Sequence, residues 1–263
     1  MKEPTSRPCW ICGAPADSDE HKHKRSDLVA RYGRSWTPEQ QPFVFRDDGS
    51  RWSRIQGPND RKNLYEKSLC RRCNNARTKP FDQAYQEFSV WVLANATTLH
   101  VKEAIDFAGI YGGAYVEKSL DLLRYFAKSL GCCIADAGID PPEALRRILT
   151  DVNRRRDTKP LMVTFGIDEF WHRVDPTGRA IGHDRLYNWP EITDRPRFSW
   201  VSHLGYLEIC YWYDLEWEDG YPFGGEPICG PHRVVSLGRR DSRPDEPEAS
   251  IKAYFGEAGS APR

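Results

Sequence analysis

From Pro80 onward apolar residues return at helical spacing. Phe81, Tyr85, Phe88 and Val92 form one stripe, and Pro80 suits a first helical position, which predicts a helix over about residues 80–96. A second stripe, Val116, Leu120, Leu123, Ala127 and Leu130, runs up to Gly131, the expected stop signal. A third helix is expected from Pro141 or Pro142 to about Arg155, burying Leu145, Ile148, Leu149 and Val152. Strand patterns follow at 161–167, 198–204, 206–214 and 233–237, with Gly205 as the turn of a hairpin. Residues 1–80 differ from all of this, because their apolar runs are as short as Phe43-Val44-Phe45 and Leu64-Tyr65. Such a segment needs a staple to fold. Residues 238–263 are charged and rich in Pro and Gly, and are expected to form a tail.

The pattern gives an α+β chain in three parts: a small module at 1–97, an accessory domain at 98–237 that is helical and then a small antiparallel β-rich region, and a tail at 238–263. The cysteines supply the missing staple. Cys9-x-x-Cys12 and Cys70-x-x-Cys73 are matched pairs, and four thiolates close a tetrahedral zinc shell with no position left for water. Two unrelated pairs of buried thiols are the alternative. Cys132, Cys133, Cys210 and Cys229 follow no ligand spacing and are read as structural.

Charge sharpens the division. The chain of 263 residues is neutral overall, yet residues 1–80 hold seventeen Lys and Arg against ten Asp and Glu. The basic part suits a polyanion, while overall neutrality argues against a general nucleic-acid coat protein. No run of about eighteen apolar residues occurs, and the opening Met-Lys-Glu-Pro lacks the apolar stretch of a secretory signal, so no membrane partner and a cytoplasmic location are expected.

Between and around the cysteine pairs lie Glu20-His21, Asn63-Leu64 and Leu69-Cys70-Arg71-Arg72-Cys73-Asn74. In that order these elements resemble the HNH endonuclease family in its zinc-bound, treble-clef ββα-metal form, and Glu20 to Leu28 is similar to a Glu-His-x-x-Lys-x-Ser-Asp-Leu branch of bacterial HNH-like proteins. The resemblance covers about residues 9–92, and departs from the usual pattern in the long stretch from His21 to Asn63 and in an Asn at the third letter. It implies an N-terminal HNH module at 1–97, a metal-dependent endonuclease hydrolysing phosphodiester bonds in DNA, with the choice between DNA and RNA left open. His21 would be the general base, because a neutral imidazole is poised to take a proton from water near pH 7. Asn63 would orient that imidazole, and Glu20 and Asn74 would hold one magnesium or manganese ion.

Rival assignments stand beside these. His23 shares a strand face with His21 and is a second candidate base, a phosphate contact or a solvated ring. Asn75 and Asp82 compete with Asn74 for the cation, although an Asp in the first turn after Pro80 also simply favours a helix N-terminus. Asn63 follows a Gly57-Pro58-Asn59-Asp60 turn and reads equally as a hairpin residue. Lys22, Lys24, Arg25, Arg71, Arg72 and Arg77 are the expected phosphate contacts. A zinc-dependent binder without turnover is the alternative function.

After residue 97 no catalytic motif is recognised. His172, His183, His203 and His232 lack ligand spacing, and the Cys210-Tyr211-Trp212-Tyr213 run reads as one strand more readily than as a base-stacking platform. The acidic, aromatic accessory domain suits a protein partner or regulatory ligand. The family resemblance suggests a setting in antiviral defence or a mobile element.

Overall fold

The computed structural model describes residues 7–37, 43–45, 52–189, 196–214 and 225–241. The chain is mixed α+β. Among the described residues six helices accompany a seven-stranded sheet, with element order α1 (Arg25–Tyr32), β1 (Phe43–Phe45), β2 (Trp52–Arg54), α2 (Lys79–Ala94), β3 (Ala104–Asp106), α3 (Phe107–Tyr111), α4 (Tyr115–Asp136), α5 (Glu143–Thr150), β4 (Leu161–Asp168), α6 (Glu169–Val174), β5 (Ile181–His183), β6 (Tyr187–Asn188), β7 (Phe198–Leu204), β8 (Leu207–Tyr213) and β9 (Val234–Arg240).

In the large sheet the strands run β3-β9-β4-β8-β7-β5, with β6 also paired to β7. All pairs are antiparallel except β4 with β9, so the sheet is mixed and not purely antiparallel. The strand patterns predict β4, β7 and β8 to within a residue. Gly205 makes the β7–β8 turn at φ +68°, where a Cβ would also meet the Gly178 carbonyl oxygen at 2.5 Å. Strand β9 runs on to Arg240, so residues 238–240 belong to the sheet and not to a tail. Residues 242–263 lie outside the described ones.

Helix α4 is the hub. It buries residues around most of its circumference, including Leu122, Leu123, Phe126, Leu130 and the polar Lys128. Against the sheet, the Phe126 ring lies 6.1 Å from Phe165 and 5.6 Å from Tyr211, edge-on in both cases. Against α2 it meets the predicted stripe of Phe81, Tyr85 and Phe88. It does not end at Gly131. A Cβ there would lie 2.3 Å from the Trp10 ring, so this glycine serves close approach of the N-terminal segment and not helix termination. Helix α5 stops at Thr150, five residues before the expected end.

Residues before and after position 97 share one apolar core, running from Cys9 and Leu69 through Leu123 and Phe126 to Ile209 and Val235. Polar links reinforce it. Arg7 donates to the carbonyls of Ala135 and Ile139, Lys22 pairs with Asp136 at 3.0 Å, and the Glu66 amide donates to Asp136 at 2.7 Å. The N-terminal segment therefore rests on the C-terminal half of α4. Among the described residues no helix is long and apolar enough to cross a membrane.

Candidate metal centre

The cysteine pairs come together. The sulfurs of Cys9, Cys12, Cys70 and Cys73 lie within 4.8 Å of one another, with Cys12 and Cys70 at 3.5 Å. Zinc–sulfur bonds of about 2.3 Å in a tetrahedron place sulfurs roughly 3.8 Å apart, so this group can hold a metal ion such as zinc. Local backbone explains the convergence. Cys9 and Cys12 bracket a tight turn closed by Gly13 at φ +77°, while Cys70 and Cys73 open the helical stretch that leads into α2. The Trp10 amide donates to Ser68 and the Asp17 amide to Leu69, tying the two knuckles side by side. Cys132 and Cys210 are buried and are not part of this group.

Between the knuckles residues 17–22 pair with 63–69 as a short ribbon. Ser18 bridges to Leu69 and His21 to Leu64, the Tyr65 amide donates to the Glu20 carbonyl and the Lys22 amide to the Asn63 carbonyl. His21 is thus displayed from a ribbon that ends on the metal knuckle. Its imidazole is partly buried, the Nε2 is enclosed with no hydrogen-bond partner, and Asn59 approaches the ring. Burial first, with Lys24 and Arg25, lowers its pKa below the ordinary 6.5 against the opposing charge of Glu20. The ring is neutral at pH 7.

Asn63 does not touch that ring. Its Oδ1 accepts the His23 amide at 2.9 Å and its Nδ2 donates to the His23 carbonyl at 2.9 Å, so it clamps the backbone just beyond His21. His23 is fully buried, 5.3 Å from the His183 ring, with Nε2 unpartnered. Burial, and then His183, holds its pKa well below 6.5. It is neither a solvated ring nor a surface phosphate contact.

Glu20 is a counter-ion in this arrangement. Its Oε1 takes Lys24 at 2.7 Å and its Oε2 takes Lys128 at 3.0 Å, while Asp82 receives Lys24 at 2.6 Å and Lys128 at 3.2 Å. Two carboxylates and two ammoniums alternate in a closed, neutral ring drawn from the ribbon, the start of α1, the first turn of α2 and the middle of α4. Burial alone would raise the Glu20 pKa, but Lys128 and Lys24 bring it down to about 2. Asn74 is fastened through its amide nitrogen, since its Nδ2 donates to Ser18 Oγ at 3.0 Å and to the Asp19 carbonyl at 2.9 Å. Of the pair predicted to share a divalent cation, Glu20 has both oxygens neutralised by ammoniums and offers no free carboxylate, while Asn74 fastens the ribbon through its Nδ2. Asp82 lies in the ion ring and Asn75 is exposed.

The expected phosphate contacts divide. Arg25, Arg71, Arg72 and Arg77 are exposed, with Arg71 near Asp17 at 3.6 Å and Arg77 reaching the Cys73 sulfur at 3.8 Å. Lys24 sits in the ion ring and Lys22 is held by Asp136 and the Tyr65 ring. Tyr211 and Trp212 are buried in β8, which removes the base-stacking platform.

A second cluster escaped the sequence. Asp168, His203 and Glu208 bring ligand atoms within 4.8 Å of one another, with Arg240 paired to Glu208 and 3.8 Å from Asp168. Burial pushes the Glu208 carboxyl up to about 7 in spite of His203 and Arg240. Burial opposes protonation of His203, but Asp184 and Glu208 outweigh it and raise its pKa. The signal was present in the hairpin, because a turn at Gly205-Tyr206 sets His203 opposite Glu208. No family model, curated protein or solved structure matches the chain.

Proposed function

We propose that residues 9–94 are a zinc-stapled HNH-type module that hydrolyses phosphodiester bonds in DNA, with RNA as the other polyanion of the same chemistry. The observation that carries the reading is His21. It is a neutral imidazole with an enclosed, unpartnered Nε2, on a ribbon anchored to the four-cysteine centre and clamped by Asn63. A buried polar atom without a partner calls for a missing one, and water awaiting deprotonation is the partner that this chemistry supplies. Zinc in the cysteine shell would have no open position, so its part is to hold the ribbon and α2 in register. Arg25, Arg71, Arg72 and Arg77 supply exposed positive charge for a phosphate backbone.

Family chemistry of this kind uses magnesium or manganese, and Glu20 as it stands, paired with Lys24 and Lys128, offers it no free carboxylate. That observation favours one second reading, a zinc-dependent nucleic-acid binder without turnover. Incubation of zinc-loaded protein with supercoiled plasmid, with and without magnesium or manganese, separates the two. Nicked or linear product supports the nuclease. Retarded but intact plasmid under every condition overturns it in favour of the binder. An accessory role for the sheet in contacting a protein partner, and a setting in antiviral defence, extend the proposal and rest on the resemblance alone.

A further inference from the structure

The geometry points to a second metal centre: Asp168, His203 and Glu208 form a buried binding site for a divalent transition-metal cation of the zinc or manganese class. The site lies on the face of the sheet opposite the one that Phe165 and Tyr211 present to α4. Alternation along the strands fixes this, since Gly166 and Asp168 on β4 and Glu208 on β8 occupy the other face. Sheet register assembles the group from distant sequence. His203 pairs with Glu208 across β7 and β8, Glu208 with Gly166 across β8 and β4, and Asp168 with Arg240 across β4 and β9. Gly166, Gly182 and Gly238 lie in the same row as Glu208 and His203, so no side chain flanks them there.

The donor set is what such a cation takes: one imidazole nitrogen and two carboxylates. Each is aimed by a neighbour. Asp168 Oδ1 accepts the amides of Phe170 and Trp171 at 2.9 and 3.2 Å, fixing the carboxylate at the start of α6. His203 has Asp184 at 3.8 Å from Nε2, which leaves Nδ1 facing Glu208 at 3.8 Å, the carboxylate–histidine–metal order found at metal sites. Two of the donors lack partners. Glu208 is 0% exposed and its Oε2 has no hydrogen bond, and His203 is 8% exposed with an unbonded Nδ1. Arg240 pairs with Glu208 and lies 3.8 Å from Asp168, and the Glu208 Oε2 and His203 Nδ1 are the unbonded atoms left facing the site for a cation. Bonds of about 2.1 Å would draw the three donors closer by small side-chain rotations.

Metal analysis on the full chain, dialysed against zinc, tests this. About two equivalents are expected for the native protein and about one for His203→Gln, with the cysteine-bound ion kept in both. One equivalent in the native protein, or two in the variant, would overturn the site. Should His203→Gln fail to fold, cobalt(II) titration of the unmodified chain carrying one zinc equivalent, at the cysteines alone, decides: visible d–d bands without thiolate charge transfer are expected, and their absence at saturating cobalt contradicts the proposal. Asp184→Asn should weaken that cobalt binding about tenfold to a hundredfold.

Discussion

Two clusters of buried charge, one under the ribbon and one on the far face of the sheet, contain the same kinds of group in opposite states. Around Glu20 every carboxylate oxygen named meets an ammonium, and the ring of Glu20, Lys24, Asp82 and Lys128 closes on itself. Around Glu208 the partners are incomplete, since an oxygen and an imidazole nitrogen have no hydrogen bond. The first arrangement explains itself as structure, because a buried ion pair with complete partners asks for nothing more. The second does not. An acidic residue beside a His in the sequence thus proved to be an ion-paired carboxylate, and what distinguishes the two clusters is the company that each keeps in the fold.

The largest effect expected is on the staple that both clusters take for granted. Chelation of zinc, or Cys70→Ser, should unfold the ribbon and its knuckles, since structural zinc sites contribute about 10–16 kcal/mol of apparent binding free energy to folding. Circular dichroism and zinc content check this, and a native spectrum in a zinc-free chain would remove the staple from the account.

Next comes Glu20→Gln, which leaves Lys128 with less compensation in the core. Breaking such a pair costs roughly 3–5 kcal/mol, and a carboxyl held at about 2 against an ordinary 4.5 implies about 3 kcal/mol by linkage. Because the folded pKa is depressed, that stability is present above about 4.5 and disappears as pH falls toward 2. Glu208→Gln should behave oppositely in protein carrying zinc at the cysteines alone. Its folded pKa is raised from 4.5 to about 7, so native stability increases as pH falls across that window, and an amide that mimics the protonated acid should be neutral or stabilising at pH 7. Urea midpoints of the two variants compare them directly, and equal losses would dissolve the contrast.

A smaller effect is expected at Gly131. Alanine in mid-helix ordinarily gains about 1 kcal/mol, yet here the new methyl would meet Trp10 at 2.3 Å, so Gly131→Ala should lose about 1–3 kcal/mol. A stabilised variant would show that Trp10 does not rest on α4. The smallest effect concerns the surface: Arg72→Ala should reduce the salt slope of duplex binding by about one unit without changing sequence preference. A slope unchanged by that substitution would place the phosphates elsewhere.

These contrasts mark what could be read from the sequence. The stripe from Phe81 to Val92 and the runs that became β4, β7 and β8 were legible because local period decides them. The cysteine pairs were legible because thiol spacing is itself a geometry. Lys128 was not, because its role depends on α4 passing beneath the ribbon more than one hundred residues after Glu20. Gly131 read as a helix stop because nothing local reveals a tryptophan arriving from residue 10. Asp168 and Arg240 are joined only by the parallel β4–β9 pairing, which no local pattern announces.

The measurement closest to the central claim is the plasmid-cleavage rate of His21→Ala against the native chain, at matched zinc content and urea midpoint. On the proposed mechanism His21 would act on a proton while the cysteines hold the fold and the arginines the backbone, so cleavage should fall about a hundredfold to ten-thousandfold with DNA affinity retained. A His21→Ala protein that cleaves at the native rate would contradict the account, and if His23→Ala were the inactive one, the base would have to be His23.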